Sequence, residues 1–127
     1  MIEFTIEELL IAEKPLGIIA QAKLPISISY QMSKIAKAVG EELKVIRESQ
    51  LKIAQKYGEH DEAGELVERE GMYPILPEHM DKFNKEMEEL LSETCTLNVN
   101  PLSVAKLDGH INLTTNEFIS LGKFLVD

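Results

Sequence analysis

The sequence predicts a helix-dominated α+β domain, on three observations. An unbroken stretch from Ile26 to Tyr57 carries one apolar stripe at helical spacing. A second, shorter stretch, Pro77 to Ser92, repeats that pattern. Only brief segments alternate like strands, so the sheet must be small.

Taken in order, Thr5 and Glu8 first form a capping-box pattern: the hydroxyl accepts from an orphan helix amide and the carboxylate reaches back to the cap. Pro15 suits the first turn of a helix and not its interior. Two short helices are therefore expected, Ile6–Ile11 and Lys14–Lys23, the second with a narrow stripe of Leu16, Ile19 and Ala20. One kinked helix is the alternative. Pro25 then drives Leu24 out of helical conformation and opens the long helix. Along that helix Ile28, Met32, Ile35, Val39, Leu43, Ile46, Ile53 and Tyr57 form the stripe. Gln50 fills its seam, and a stutter falls at Val39–Leu43. Such a helix is about 48 Å long. Gly58 ends it, and Lys52 and Lys56 suit the negative end of its dipole.

From Glu59 to Leu76 there is no helical stripe. Leu66-Val67 and Tyr73-Pro74-Ile75-Leu76 flank Glu68-Arg69-Glu70-Gly71, which predicts an irregular hairpin or an ordered loop with Pro74 at an edge. Pro77 opens the next helix, where Met80, Phe83, Met87 and Leu90 make a face for the long helix. Thr96 and Asn98 alternate with Leu97 and Val99, a short strand stopped by Pro101. The Leu66–Leu76 and Thr96–Val99 segments are expected to pair as a small terminal sheet. Thr114 and Glu117 form a second capping box, opening a last helix with Phe118, Leu121, Phe124 and Leu125.

The 127 residues are expected to form one domain, 1–127, with a core of Ile, Leu, Val and Met, since tryptophan is absent. A lone Cys95 forms no internal disulfide and suits a reducing cytoplasm. No apolar run approaches the ~18 residues of a membrane span, and the acidic N-terminal stretch is not a secretory signal.

The charge is concentrated in one place. Glu59–Glu93 holds 12 acidic and 3 basic residues, so this window alone carries the net −9 of the whole chain. An acidic face disfavours direct binding to nucleic acid or anionic membranes, which need basic contacts, and points to a protein partner.

No pattern of catalytic chemistry is present. His60, His79 and His110 lack metal-ligand spacing. Acidic surroundings disfavour a Cys95 thiolate. Gly58, Gly64 and Gly71 do not make a phosphate loop. The many glutamates read as solvated faces. No catalytic residue, cofactor or metal is expected. The strongest candidates for partner contact are Glu65, Glu68 and Glu70, with Met72 and Tyr73 as apolar anchors, since Tyr and Met are enriched at interfaces.

Leu24-Pro25-Ile26, Tyr30, Glu41-Glu42-Leu43, Lys56-Tyr57-Gly58, Glu89-Leu90-Leu91, Leu97-Asn98-Val99 and the Phe118–Phe124 helix follow one order along the chain. In this the sequence resembles small phage and prophage proteins of uncharacterised function. The resemblance implies a viral setting, and carries no catalytic residue across. The expectation is a non-enzymatic binding protein that engages a host factor, a defence system or a phage protein through an acidic surface. The alternative is a virion or assembly component that forms a homo-oligomer through the long helix, which Ile46→Asp or Ile53→Asp would weaken. A third reading is a nucleic-acid mimic that fills a basic groove.

Overall fold

The computed structural model describes Met1–Asp127. The fold is helix-dominated α+β, with five α-helices and two small sheets. It consists of two compact units: Met1–Leu43 with Thr94–Asp127, and Lys44–Glu93.

The first unit opens with strand β1, Ile2–Thr5. Helix α1, Ile6–Gln21, follows directly, and its capping box forms as the sequence predicts. The Thr5 hydroxyl accepts from the Glu8 amide at 3.2 Å, and Glu8 accepts from the Thr5 amide at 3.0 Å. The expected break at Pro15 does not occur, and the stretch is one helix with Pro15 inside it. Proline removes one helix bond, to the Ile11 carbonyl, but Ile11 lies on the exposed side, where water can satisfy that carbonyl. On the other side Leu9, Ala12, Pro15, Leu16 and Ile19 are buried in a continuous stripe that holds the helix together across the proline. Ala20, placed in the stripe from sequence, is exposed.

Helix α2, Ile26–Tyr57, has the predicted bounds. Its first half buries Ile28, Met32, Ile35, Val39 and Leu43 in the core of this unit. The expected pairing of Leu66–Leu76 with the later strand is not found. Strand β2, Thr94–Leu97, pairs instead with β1, antiparallel, in the register Ile2↔Leu97 and Phe4↔Cys95. Ile2, Phe4 and Leu97 are buried, so the alternation of Ile2 and Phe4 with Glu3 supplies the apolar face of this sheet.

Strand β3, Leu102–Ser103, leads through α4, Val104–Leu107, and α5, Thr115–Leu121, to β4, Leu125–Val126, which returns parallel to it. The Thr114–Glu117 capping box also forms. The last helix stops short of Phe124, because Gly122 turns the chain at φ +47° into a 3₁₀ turn, Gly122–Phe124. That turn swings Phe124 into the core, where its ring stacks on Phe4 with centroids 4.6 Å apart.

In the second unit the end of α2 packs beside helix α3, Met80–Ser92, which a 3₁₀ turn at Pro77–His79 introduces. Lys56 donates to Glu86 Oε1 at 2.6 Å, and the rings of Tyr57 and His79 lie 5.8 Å apart. The Lys56 ammonium, then the Tyr57 hydroxyl nearby, hold the Glu86 carboxyl below the usual glutamate range. Glu86 Oε2 is itself buried with no hydrogen-bond partner. A carboxyl held low in this way favours the folded form above the ordinary glutamate range, and that contribution is lost as pH falls through the lowered value. The core of this unit is thin: Ile46, Ala54 and Gly58 are its only buried residues. No helix of the chain is long and apolar enough to cross a membrane.

Candidate functional site

The five residues singled out from the sequence all lie in the irregular part of the second unit, Gly58–Leu76. Here three extended segments are joined by isolated bridges instead of a regular sheet. Gly58 bridges Ile75 on one side, and His60 bridges Leu66 on the other. The Glu59 amide donates to the Pro74 carbonyl at 2.9 Å, and the Val67 amide to the Glu59 carbonyl at 2.8 Å. The Glu59–His60 segment is thus the middle of the three, a role no sequence signal assigned to it.

Asp61 organises the first turn. Its Oδ1 accepts from the Ala63 and Glu65 amides at 2.9 and 3.0 Å, the side-chain mimicry of a backbone turn that makes aspartate common at such places. Glu65, at the end of this turn, is exposed.

The second turn is the tip that carries Glu70 and Met72. Arg69 and Met72 exchange two backbone hydrogen bonds, of 2.8 and 2.9 Å. Between them Glu70 and Gly71 both have positive φ, +52° and +78°. Positive φ at both central residues is the signature of a type I′ hairpin turn, which prefers Asn-Gly or Asp-Gly. Glu70 is the only non-glycine residue of the chain with positive φ. A side chain there is strained, and strain held at an exposed tip is a feature of sites that use the side chain it presents. Glu70→Asn is expected to raise stability by about 0.5–1 kcal/mol, because asparagine tolerates the left-handed region better. A thermal melt of the variant at or below wild type would show that Glu70 is not strained.

Glu65, Glu68 and Glu70 are exposed, Met72 is 73% exposed and Tyr73 is 36% exposed. Arg69 pairs with Glu59 across the hairpin at 3.4 Å, an exposed contact of little energetic weight that still engages one of the three basic side chains in the acidic window.

Met72 and Tyr73 border an open groove of about 490 Å³ between the hairpin, α2 and α3. Leu51 and Ala54 of α2 and Phe83 and Met87 of α3 form its walls, with Arg47 at one edge. Phe83 and Met87 are half-buried and Leu51 is exposed. Sequence reasoning placed Phe83 and Met87 on the face of α3 toward α2, but did not find Leu51. Arg47, Leu51 and Ala54 form a second row at spacings of four and three beside the main stripe, and that row is the signal that marks the groove. Ile46, chosen from the sequence as a residue of oligomer contact, is 1% exposed, so Ile46→Asp would test folding instead of assembly.

Elsewhere, burial, with the nearby charges of Glu42 and Glu8, pushes the Cys95 thiol up, away from a reactive thiolate. No three His, Cys, Asp or Glu side chains are grouped to hold a metal ion. Comparison of the chain with protein families, with curated proteins and with solved structures found no match.

Proposed function

We propose that the chain is a non-enzymatic protein-binding protein of phage type, which presents the acidic Glu59–Glu93 segment and the Met72–Tyr73 tip to a host or phage protein in the bacterial cytoplasm. The observation that carries this reading is the tip itself: an exposed methionine closes a strained type I′ turn and a half-exposed tyrosine follows it, beside an open apolar groove. Exposed Met and Tyr next to a concave apolar surface have the composition of interface anchors. The acidic residues around them favour a partner with a basic rim, and act mainly on the rate and selectivity of encounter. They disfavour direct contact with nucleic acid. The resemblance to small phage proteins supplies the setting.

The test uses three immobilised baits in bacterial lysate at low and high salt: wild type, Met72→Ala with Tyr73→Ala, and Glu65→Lys with Glu68→Lys and Glu70→Lys. The expected result is a protein retained by wild type and lost from the Met72/Tyr73 variant at both salts. With that protein purified, charge reversal is expected to slow association by about tenfold at low salt and to flatten its salt dependence. A wild-type bait that retains nothing the variants do not also retain would overturn the proposal.

A further inference from the structure

Helix α3 carries Met80, Phe83, Met87 and Leu90 on one face, yet it buries none of its residues. Phe83, Met87 and Leu90 are half-buried and Met80 is exposed. The second unit as a whole buries only Ile46, Ala54 and Gly58. An apolar helix face draws its stability from cover, and a unit this small has little burial to spare. The core of this unit therefore lacks one layer, and the opening is the groove of about 490 Å³.

The long walls of that groove are helices. Leu51 and Ala54 line it from α2, Phe83 and Met87 from α3. Along α2 the wall runs from Arg47 to Ala54, about 10 Å or two turns of helix. A trough between two helices receives a third, whose apolar side chains recur at spacings of three and four. Charge decides which helix. The Lys44–Glu93 unit has 13 acidic and 7 basic residues, a net −6. Six of the acidic residues lie in Glu59–Glu70, where Arg69 is the only basic side chain set against them. A second copy of the chain would bring the same negative charge and is repelled, whereas a helix with lysine or arginine on its outer side is attracted.

We infer that the groove receives an amphipathic helix of a basic partner, laid between α2 and α3 with its apolar side chains against Leu51, Ala54, Phe83 and Met87. The inference rests on the protein-binding reading of this surface and names the chemistry of the partner.

Three labelled peptides of about eighteen residues, long enough to hold a helix, test it on the full chain. The first is built of lysine and alanine with leucines at spacings of three and four. The second has the same composition with the leucines scattered around the helix. The third keeps the stripe and replaces lysine by glutamate. Fluorescence anisotropy follows binding, circular dichroism follows peptide helicity, and the backbone amide signals of the chain locate the site. The striped basic peptide is expected to gain helix on binding and to shift the amides of Leu51, Ala54, Phe83 and Met87. It should bind about tenfold more tightly than the scattered one, the effect of burying one further apolar side chain, and the acidic peptide should not bind. Leu51→Gln is expected to weaken the striped peptide by about tenfold. Val45→Gln, at a residue 56% exposed and outside the groove lining, should leave it unchanged. Equal binding of the striped and scattered peptides, binding without a gain of helix, an acidic peptide bound as tightly, or a dimer of the chain that the striped peptide disrupts each overturns the inference. If the lysate bait retains a protein through Met72 and Tyr73 while no peptide binds, the helix assignment fails and the protein-binding reading stands. If the striped peptide binds as expected and the bait retains nothing, that reading fails and the groove chemistry stands.

Discussion

Phe4→Ala is expected to lower the unfolding free energy by about 3–5 kcal/mol, the usual cost of deleting a buried phenylalanine ring. Phe4 is 2% exposed and Phe124, stacked on it at 4.6 Å, is 1% exposed. The pair joins strand β1 at one end of the chain to the 3₁₀ turn at the other, so the cavity would open at the closure of the first unit. A loss of this size is a large fraction of the roughly 5–15 kcal/mol that stabilises a typical domain. Phe4→Leu keeps part of the apolar volume but loses the ring stack, and should cost less than Phe4→Ala. Urea unfolding followed by circular dichroism measures both. Hydrogen exchange at the β1–β2 amides shows whether the loss is centred where the rings stack. If Phe4→Ala costs under about 1 kcal/mol, the stacked pair does not organise this core.

Gly58→Ala is the second large effect, and it acts on the candidate binding surface from a distance. A Cβ at Gly58 would lie 2.5 Å from the Ala54 carbonyl oxygen and 2.6 Å from Leu66 Cδ1. The leucine can rotate, but the carbonyl is fixed, because it accepts the Gly58 amide at 2.6 Å and closes the end of α2. Relief requires moving the bridge from Gly58 to Ile75 that supports the hairpin. We expect a cost of about 2–3 kcal/mol, at the upper end for an overpacked site. The second unit, with three buried residues, has little packing to absorb it. Gly40→Ala is the control: it lies inside α2 with nothing within 4 Å of the added carbon, and should gain about 0.5–1 kcal/mol from helix propensity. Denaturant midpoints of the two variants must move in opposite directions. Gly58→Ala is also expected to weaken retention of the partner, although Gly58 lies outside the groove lining.

Much of this architecture was legible as local chemistry. The bounds of α2 follow from Pro25 at its start and from an apolar stripe that Gly58 ends. The two capping boxes follow from a threonine and a glutamate three residues apart. These signals act over a few residues, so they survive whatever the rest of the chain does. Pro15 shows the limit of such reasoning. The local cost of a proline inside a helix is real, yet the six buried residues of α1, Pro15 among them, outweigh it, and burial depends on what surrounds the helix. The strand partners were not legible for the same reason. Ile2-Glu3-Phe4 and Thr94–Leu97 are each too short for alternation to select a partner, and only the assembled core brings one beside the other.

The candidate site divides in the same way. Sequence by itself determined that the charge lies in Glu59–Glu93 and that Glu65, Glu68, Glu70, Met72 and Tyr73 fall in a segment without helical periodicity. Composition and order along the chain are sufficient for both. Only the tertiary structure decided that Glu70 occupies a left-handed position in a type I′ turn, that Glu59–His60 runs between two other segments, and that Leu51, Phe83 and Met87 leave a groove beside the tip. Each of these depends on residues far apart in the chain, or on backbone angles set by hydrogen bonds across a turn, and a linear pattern encodes neither.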